Sequence, residues 1–197
     1  MSYTLIDNCR ISESDNLLPI FDLGEHPLAN SLTSHPDEIP VTYPLSLSFC
    51  EDTKLVQLDQ TVDKSILFSN YVWVTGTSSG ANKWAKQFYL EALARTDLRP
   101  EDFVLEIASN DGTFLKPFLN SGHNNILGVE PAKNLTSIAE AEGVHTINMF
   151  WTSSLAKEIL SEHGSAKFIF ARNVIPHIGE IFDAIRGIEI VLDKNGI

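Results

Sequence analysis

The chain is short of cysteine, methionine and positive charge. Two cysteines, Cys9 and Cys50, among 197 residues are too few for a disulfide framework, which leaves thiols or metal ligands in a reducing compartment. Fourteen Lys and Arg stand against 26 Asp and Glu, for a formal net charge of -12, and residues 1–100 and 101–197 each carry 7 basic and 13 acidic side chains. Without a basic face, nucleic acid is not an expected partner. A phosphate-bearing ligand would need a local pocket rather than the field of the whole surface. No apolar run approaches the roughly 18 residues of a membrane span, and the start Met1-Ser2-Tyr3-Thr4-Leu5-Ile6-Asp7 lacks the basic and apolar stretches of a signal peptide. No membrane partner and a cytoplasmic location are expected. The remaining composition, 43% hydrophobic and 20% charged with 11 Gly and 9 Pro, excludes disordered, collagenous and low-complexity classes.

What is present divides the chain. Residues 1–70 are punctuated by Pro19, Gly24, Pro27, Pro36, Pro40 and Pro44, which predicts short strands and loops. Leu45-Ser46-Leu47-Ser48-Phe49 alternates with period two, and Lys54-Leu55-Val56-Gln57-Leu58 follows a polar gap, the pattern of a hairpin beginning at Cys50. Residues 71–100 read as a linker loop and a helix. The segment from Tyr71 to Lys83 is aromatic and then small and polar, suited to close approach to a ligand, and Ala85, Phe88, Tyr89, Ala92 and Leu93 form an amphipathic stripe. From 101 to 197 strands at 103–107, 125–129, 144–147 and 167–171 alternate with helices at 113–119, 133–142, 154–163 and 179–192. The expected class is α/β, a partial Rossmann-like parallel sheet preceded by a small loop- and strand-rich module.

The sharpest local feature is Glu106-Ile107-Ala108-Ser109-Asn110-Asp111-Gly112, a small-residue turn between the first of these strands and its helix. Such a turn lets backbone N–H groups approach a ligand. It is not a G-x-G-x-x-G, and without glycine at 108 and 110 close approach to a pyrophosphate is disfavoured. Glu130, 24 residues beyond Glu106, ends the next strand near the roughly 20-residue spacing at which an acid captures ribose hydroxyls. Glu130 together with a loop carboxylate suits a ligand carrying positive charge. Against this, Asp111 could simply cap the following turn, His177 could be a solvated residue at a helix start, and Tyr71 could be a core aromatic.

The pattern Glu106-x-Ala108-x-Asn110-x-Gly112 resembles motif I of the class I S-adenosylmethionine-dependent methyltransferases, with its first and second glycines replaced. Glu-Ile-Ala-Ser-Asn-Asp-Gly-Thr over 106–113 is similar to the E-I-G-S-N-D-G-T of the nucleotide-sugar C-methyltransferases. Gly128-Val129-Glu130-Pro131-Ala132 and Asn173-Val174-Ile175-Pro176-His177-Ile178 are similar to that family's G-V-E-P-A and N-V-x-x-H-I. Asp22-Leu23-Gly24-x-x-Pro27-Leu28-Ala29-Asn30, Tyr43-Pro44-Leu45, Leu55-Val56-Gln57-Leu58 and Asn70-Tyr71 resemble its N-terminal zinc-type module.

The resemblance implies S-adenosylmethionine as cofactor and a small-molecule nucleotide-linked 4-keto-deoxysugar as substrate, methylated at the carbon beside the ketone. It implies cofactor contacts by Glu106, Ala108, Ser109, Asn110, Asp111, Gly112, Glu130, Pro131, Asn173 and Val174, and catalytic contacts by Tyr71 and His177. Two C-x-x-C pairs would hold zinc in that family, whereas this chain has Cys9-x-x-Ser12 and Cys50-x-x-Thr53. Neutral hydroxyls are poor zinc ligands, so no structural zinc is expected unless His26, His35 or an acid substitutes. Trp73 and Trp84 also depart from the family's usual tyrosine and histidine. Family members run to about twice this length, so a sheet ending after its fourth strand, and a catalytic histidine, tyrosine and glutamate beyond residue 197, are expected. The exposed edge of that strand would then favour self-association. Two other readings stay open, a catalytically incomplete cofactor-binding module and an NAD-dependent oxidoreductase.

Overall fold

The computed structural model describes residues 2–197, which divide into two compact units, Met1–Ser69 and Asn70–Ile197. The first contains β1 (Tyr3–Leu5), β2 (Leu17–Pro27), β3 (Thr42–Cys50), β4 (Val56–Leu58), β5 (Gln60–Val62) and a single-turn helix α1 (Lys64–Phe68). β1 pairs with β5, and β2, β3 and β4 form an antiparallel sheet in which β3 and β4 are the expected hairpin, Leu47 opposite Leu58 and Phe49 opposite Val56. β2 is longer than the prolines suggest. It accommodates them with irregularities between Pro19 and Phe21 and between Asp22 and Glu25, where an extra residue relieves the missing ladder donor.

Which face of the hairpin is buried runs against the hydrophobic pattern. Ser48, Cys50 and Gln57 are buried, while Val56 and Leu58 on the other face are more than two-fifths exposed. The polar face is covered because the Gln57 side chain bonds the chain around Cys9: its Oε1 accepts from the Arg10 N–H (2.9 Å) and its Nε2 donates to the Asn8 carbonyl (2.9 Å).

The second unit contains α2 (Ser79–Arg95), β6 (Val104–Ile107), α3 (Lys116–Asn120), β7 (Ile126–Val129), α4 (Lys133–Ala141), β8 (Thr146–Ile147), α5 (Ser153–His163), β9 (Phe168–Ala171) and α6 (Ile181–Val191). All strand pairs are parallel, in the order β8-β7-β6-β9. Parallel strands need cover on both faces, and period-two alternation supplies it. Leu105, Ile107, Leu127 and Val129 pack against Trp151, Leu155, Ile159, Ala184 and Val191, whereas Val104, Ile126, Phe168 and Phe170 pack against Ala85, Ala92, Phe114, Phe118 and Ala139. The stripe of α2 is core: Phe88 stands over Phe114 and Phe170 with ring centroids 5.7 and 4.9 Å apart.

One sequence expectation is corrected. The helix after the first turn starts at Lys116 rather than 113, since Pro117 has no N–H to donate and fits only the opening of a helix. The outer edge of β9 is not bare: Ile169 N–H donates to the Ile197 carbonyl (2.9 Å), Ile197 N–H to the Lys167 carbonyl (3.0 Å) and Asp193 N–H to the Ala166 carbonyl (2.9 Å). With the isolated parallel bridge between Ala166 and Leu192 these bonds cover part of that edge, and the sheet itself has four strands among the described residues, as expected.

Candidate functional site

The carboxyl ends of β6, β7 and β9 bring three loops to one end of the sheet, where open α/β sheets bind ligands. The loop after β6 takes the backbone of a glycine-rich turn although two glycines are replaced: Ala108, Asn110 and Gly112 have φ of 56, 54 and 74°. Left-handed backbone costs alanine about 1 kcal/mol, and asparagine less. The shape is enforced from the neighbouring strand. Glu130, 6% exposed, accepts from the Asn110 N–H through Oε2 (2.9 Å) and from the Ala132 N–H through Oε1 (2.9 Å). Burial raises the Glu130 carboxyl above the usual range, against the lowering effect of those two N–H groups.

Four N–H groups of this turn and its continuation are bonded within the chain. Ser109 N–H donates to the Val129 carbonyl, Asn110 N–H to Glu130, Gly112 N–H to the Ser109 carbonyl and Thr113 N–H to Asp111 Oδ1. With those four groups occupied, the turn has few donors left for a phosphate. Asp111 is also committed. Its Oδ1 accepts from the Thr113 hydroxyl (2.6 Å) and its Oδ2 from the Gly76 N–H (2.8 Å), while α3 opens behind Leu115 with no side-chain cap, so Asp111 holds the turn rather than capping the helix.

Glu106 has 0% exposure in the middle of β6, and the Arg172 guanidinium donates to its Oε1 through Nη2 (2.9 Å) and Nε (3.2 Å). Its Oε2 has no hydrogen-bond partner. Burial pushes the Glu106 carboxyl up to about 8 even with Arg172 beside it. Arg172 in turn lies over the Phe114 ring, 3.1 Å from the centroid. Arg172 escaped the sequence reading, yet a carboxylate inside the apolar strand Val-Leu-Glu-Ile already demanded a cation at a neighbouring strand end.

The aromatic segment at 71–78 is tied to the same turn. Asn110 accepts from the Thr75 N–H through Oδ1 (2.9 Å) and donates through Nδ2 to the Trp73 carbonyl (3.0 Å). Gly76 is held so close to Asp111 that a Cβ there would lie 2.6 Å from Oδ2. Asn134 of α4 grips Tyr71 twice, accepting from its N–H (3.1 Å) and donating to its carbonyl (2.8 Å). Ser78 caps α2. No sequence signal marked Asn134, because its partner lies 63 residues away. Asn148, also unmarked, donates to the carbonyls of Glu130 and Pro131 (2.9 Å each).

The structure thus brings together Ala108 to Gly112, Glu130, Pro131, Trp73 and Tyr71. Asn173, with φ of 53°, and Val174 follow β9, whose Ala171 pairs with Ile107. His177 is exposed in the single turn Ile175–His177 beyond them. A groove of about 420 Å³ near Arg99, Asp102, His163 and Lys167 lies at the opposite, amino ends of β6 and β9 and holds none of these residues.

In the first unit, Cys9 and Cys50 are buried free thiols, with Ser12 and Thr53 beside them. Among the described residues no group of three or more His, Cys, Asp or Glu could hold a metal ion, and His26 and His35 are exposed. Two thiols and two hydroxyls do not fit a structural zinc, which needs four thiolate, imidazole or carboxylate donors.

Residues 9–68 match a family model described as "Putative zinc binding domain". Over 98% of its length the chain is 29% identical to the C-methyltransferase NovU of Streptomyces niveus, of which it spans 46%, about half of that relative. It is also similar to a solved S-adenosylmethionine-dependent methyltransferase of Anabaena variabilis, with 25% identity, TM-score 0.45, and 55% of this chain and 47% of that one covered. The magnesium protoporphyrin IX methyltransferase of Synechocystis, solved with bound S-adenosylmethionine, gives 13% identity and TM-score 0.45 over 58% of this chain and 55% of that one. No helix among the described residues is long and apolar enough to cross a membrane.

Proposed function

We propose that the Asn70–Ile197 unit binds S-adenosylmethionine and that the protein is a C-methyltransferase acting on a nucleotide-linked 4-keto-deoxysugar. The observation that supports this reading is the turn at 108–112, where the N–H groups of Ser109, Asn110 and Gly112 are bonded within the chain and the Glu130 carboxylate of the next strand end lies against the turn. A sulfonium and an ammonium group are attracted by carbonyl and carboxylate oxygens, and ribose hydroxyls donate to a carboxylate such as Glu130. A dinucleotide pyrophosphate would meet N–H groups of Ser109, Asn110 and Gly112 that are already bonded, which disfavours the NAD-dependent oxidoreductase reading. The similarity to NovU, over 98% of this chain and 46% of that relative, supports carbon as the methyl acceptor.

When bound, the cofactor supplies an electrophilic methyl group. Around it Glu130 would hold the ribose, Ala108 to Gly112 the methionine end, with Glu106 beneath them, and Asn173 and Val174 the region of the sulfur. Tyr71, whose backbone Asn134 clamps, and His177 are the proposed contacts to the acceptor. A ketone acidifies the adjacent C–H, and its removal leaves a carbon nucleophile for in-line attack, so orientation and exclusion of water contribute much of the rate.

Calorimetric titration tests the cofactor. S-adenosylhomocysteine is expected to bind, NADH to give no heat, and Glu130→Ala to weaken S-adenosylhomocysteine by about tenfold or more, the loss of a charged hydrogen-bond acceptor. No binding by the wild type overturns the proposal. Methyl transfer to a nucleotide 4-ketosugar, and none to the same sugar with its carbonyl reduced, tests the acceptor class.

A further inference from the structure

The two degenerate metal-ligand pairs of the first unit remain built as a pair. Cys9 N–H donates to the Ser14 carbonyl (2.7 Å) and the Cys9 carbonyl accepts from the Glu13 N–H (2.9 Å); Cys50 N–H donates to the Leu55 carbonyl (2.8 Å) and the Cys50 carbonyl accepts from the Lys54 N–H (2.9 Å). Glu13 and Lys54, at equivalent positions, have φ of 59 and 64°. The two turns are the same structure built twice, at 9–14 and 50–55, though their sequences share only the cysteine.

The four side chains at the ligand positions meet crosswise. Cys9 Sγ lies 3.3 Å from Thr53 Oγ1, and Ser12 Oγ lies 4.0 Å from Cys50 Sγ. Four sulfurs at about 2.3 Å from a tetrahedral zinc stand about 3.8 Å apart, so these separations bracket the edge of such a tetrahedron. The chemistry has changed while the spacing has stayed.

Other bonds join the turns without a metal. Ser14 and Asn16 both donate to the Asp52 carboxylate, Glu51 N–H donates to the Asn16 carbonyl, and Gln57 clamps residues 8 to 10. Hydrogen bonds from Ser14 and Asn16 hold the Asp52 carboxyl below its usual range.

We propose that the 9–14 and 50–55 turns form a metal-free double knuckle, in which the Ser12 and Thr53 hydroxyls pair with the opposite cysteines in place of two thiolates and a metal ion. The module folds without zinc and stands two substitutions from a tetrahedral zinc site.

The test uses the full chain, wild type and S12C/T53C. Each is loaded with excess Zn²⁺, passed through gel filtration and analysed for bound metal, then titrated with Co²⁺ as an optical probe. The wild type is expected to retain no zinc, to give no thiolate-to-cobalt absorption, and to unfold at the same urea midpoint with or without a chelator. The double variant is expected to retain one Zn²⁺ per chain, to show the visible bands of tetrahedral cobalt, and to lose its added stability to chelator. Should S12C/T53C not fold in the absence of metal, refolding with Zn²⁺ present gives the same readout. Stoichiometric zinc on the wild type overturns the proposal, and so does a double variant that takes up no metal under either protocol.

Discussion

Each unit has a turn that departs from the motif it resembles, and the two departures differ in kind. At Ala108 and Asn110 the change is conformational. The backbone stays left-handed because Glu130 holds the Asn110 N–H, and no ligand-facing side chain is lost, since glycine has none to lose. At Ser12 and Thr53 the backbone is equally well kept, but the donors themselves have changed from thiolate to hydroxyl. A turn can survive a strained residue for about 1 kcal/mol, whereas a metal site does not survive the loss of half its ligands. A departure at a backbone position therefore leaves the shape of a turn intact, whereas one at a donor position changes what the turn can hold.

The units also differ in how they are held. The fully buried apolar residues of the first are Cys9, Tyr43 and Cys50, and the rest of the core lies in the second. Phe118→Ala, which empties a site at 0% exposure between Tyr89 and Phe168, is expected to destabilise the second unit by about 3–5 kcal/mol in urea denaturation. Gln57→Leu, removing the clamp on residues 8 to 10, is expected to cost the first unit about 1 kcal/mol, since it removes two part-buried hydrogen bonds. A Gln57→Leu protein as stable as wild type would mean that apolar packing, not polar stapling, holds the knuckles.

The buried acid gives a pH signature confined to the second unit. With its folded value raised from 4.5 to about 8, Glu106 holds a proton in the folded chain over a range where the unfolded chain has released it. Its contribution to stability is full below pH 4.5 and is lost as pH rises toward 8. Glu106→Gln is expected to flatten that decline in melting temperature; an unchanged pH profile would show that Arg172 keeps the carboxylate ionised throughout.

The smallest effects probe the backbone directly. Ala108→Gly and Lys54→Gly, one in each unit, relieve left-handed strain and are each expected to change stability by no more than about 1 kcal/mol, in the stabilising direction. A loss at Ala108 alone would indicate that its methyl packs usefully in the turn.

Much of this was legible in the chain. Strands read at 103–107, 125–129 and 167–171 are β6, β7 and β9 within a residue, because a strand buried on both faces is a run of apolar residues that local sequence displays. The stripe of α2 was equally plain. The site was legible in outline: Glu130 and the 106–112 turn stand out by composition, and β6–β7 pairing joins them. The hairpin at 45–58 was read correctly as a hairpin, but its buried face was not visible, since Ser48 and Gln57 are covered by a loop from the chain's beginning.

Period, turn chemistry and charge, all properties of neighbouring residues, were determined by the sequence itself: the α/β order, the acidic surface, the loss of two thiolates. Tertiary structure alone decided which groups meet across long separations. It placed Asn110 on Trp73, Asn134 on Tyr71, Arg172 on Glu106 and Thr53 on Cys9. Side-chain hydrogen bonds between distant residues follow no period, so only the packed chain can bring them within 3 Å or so of each other.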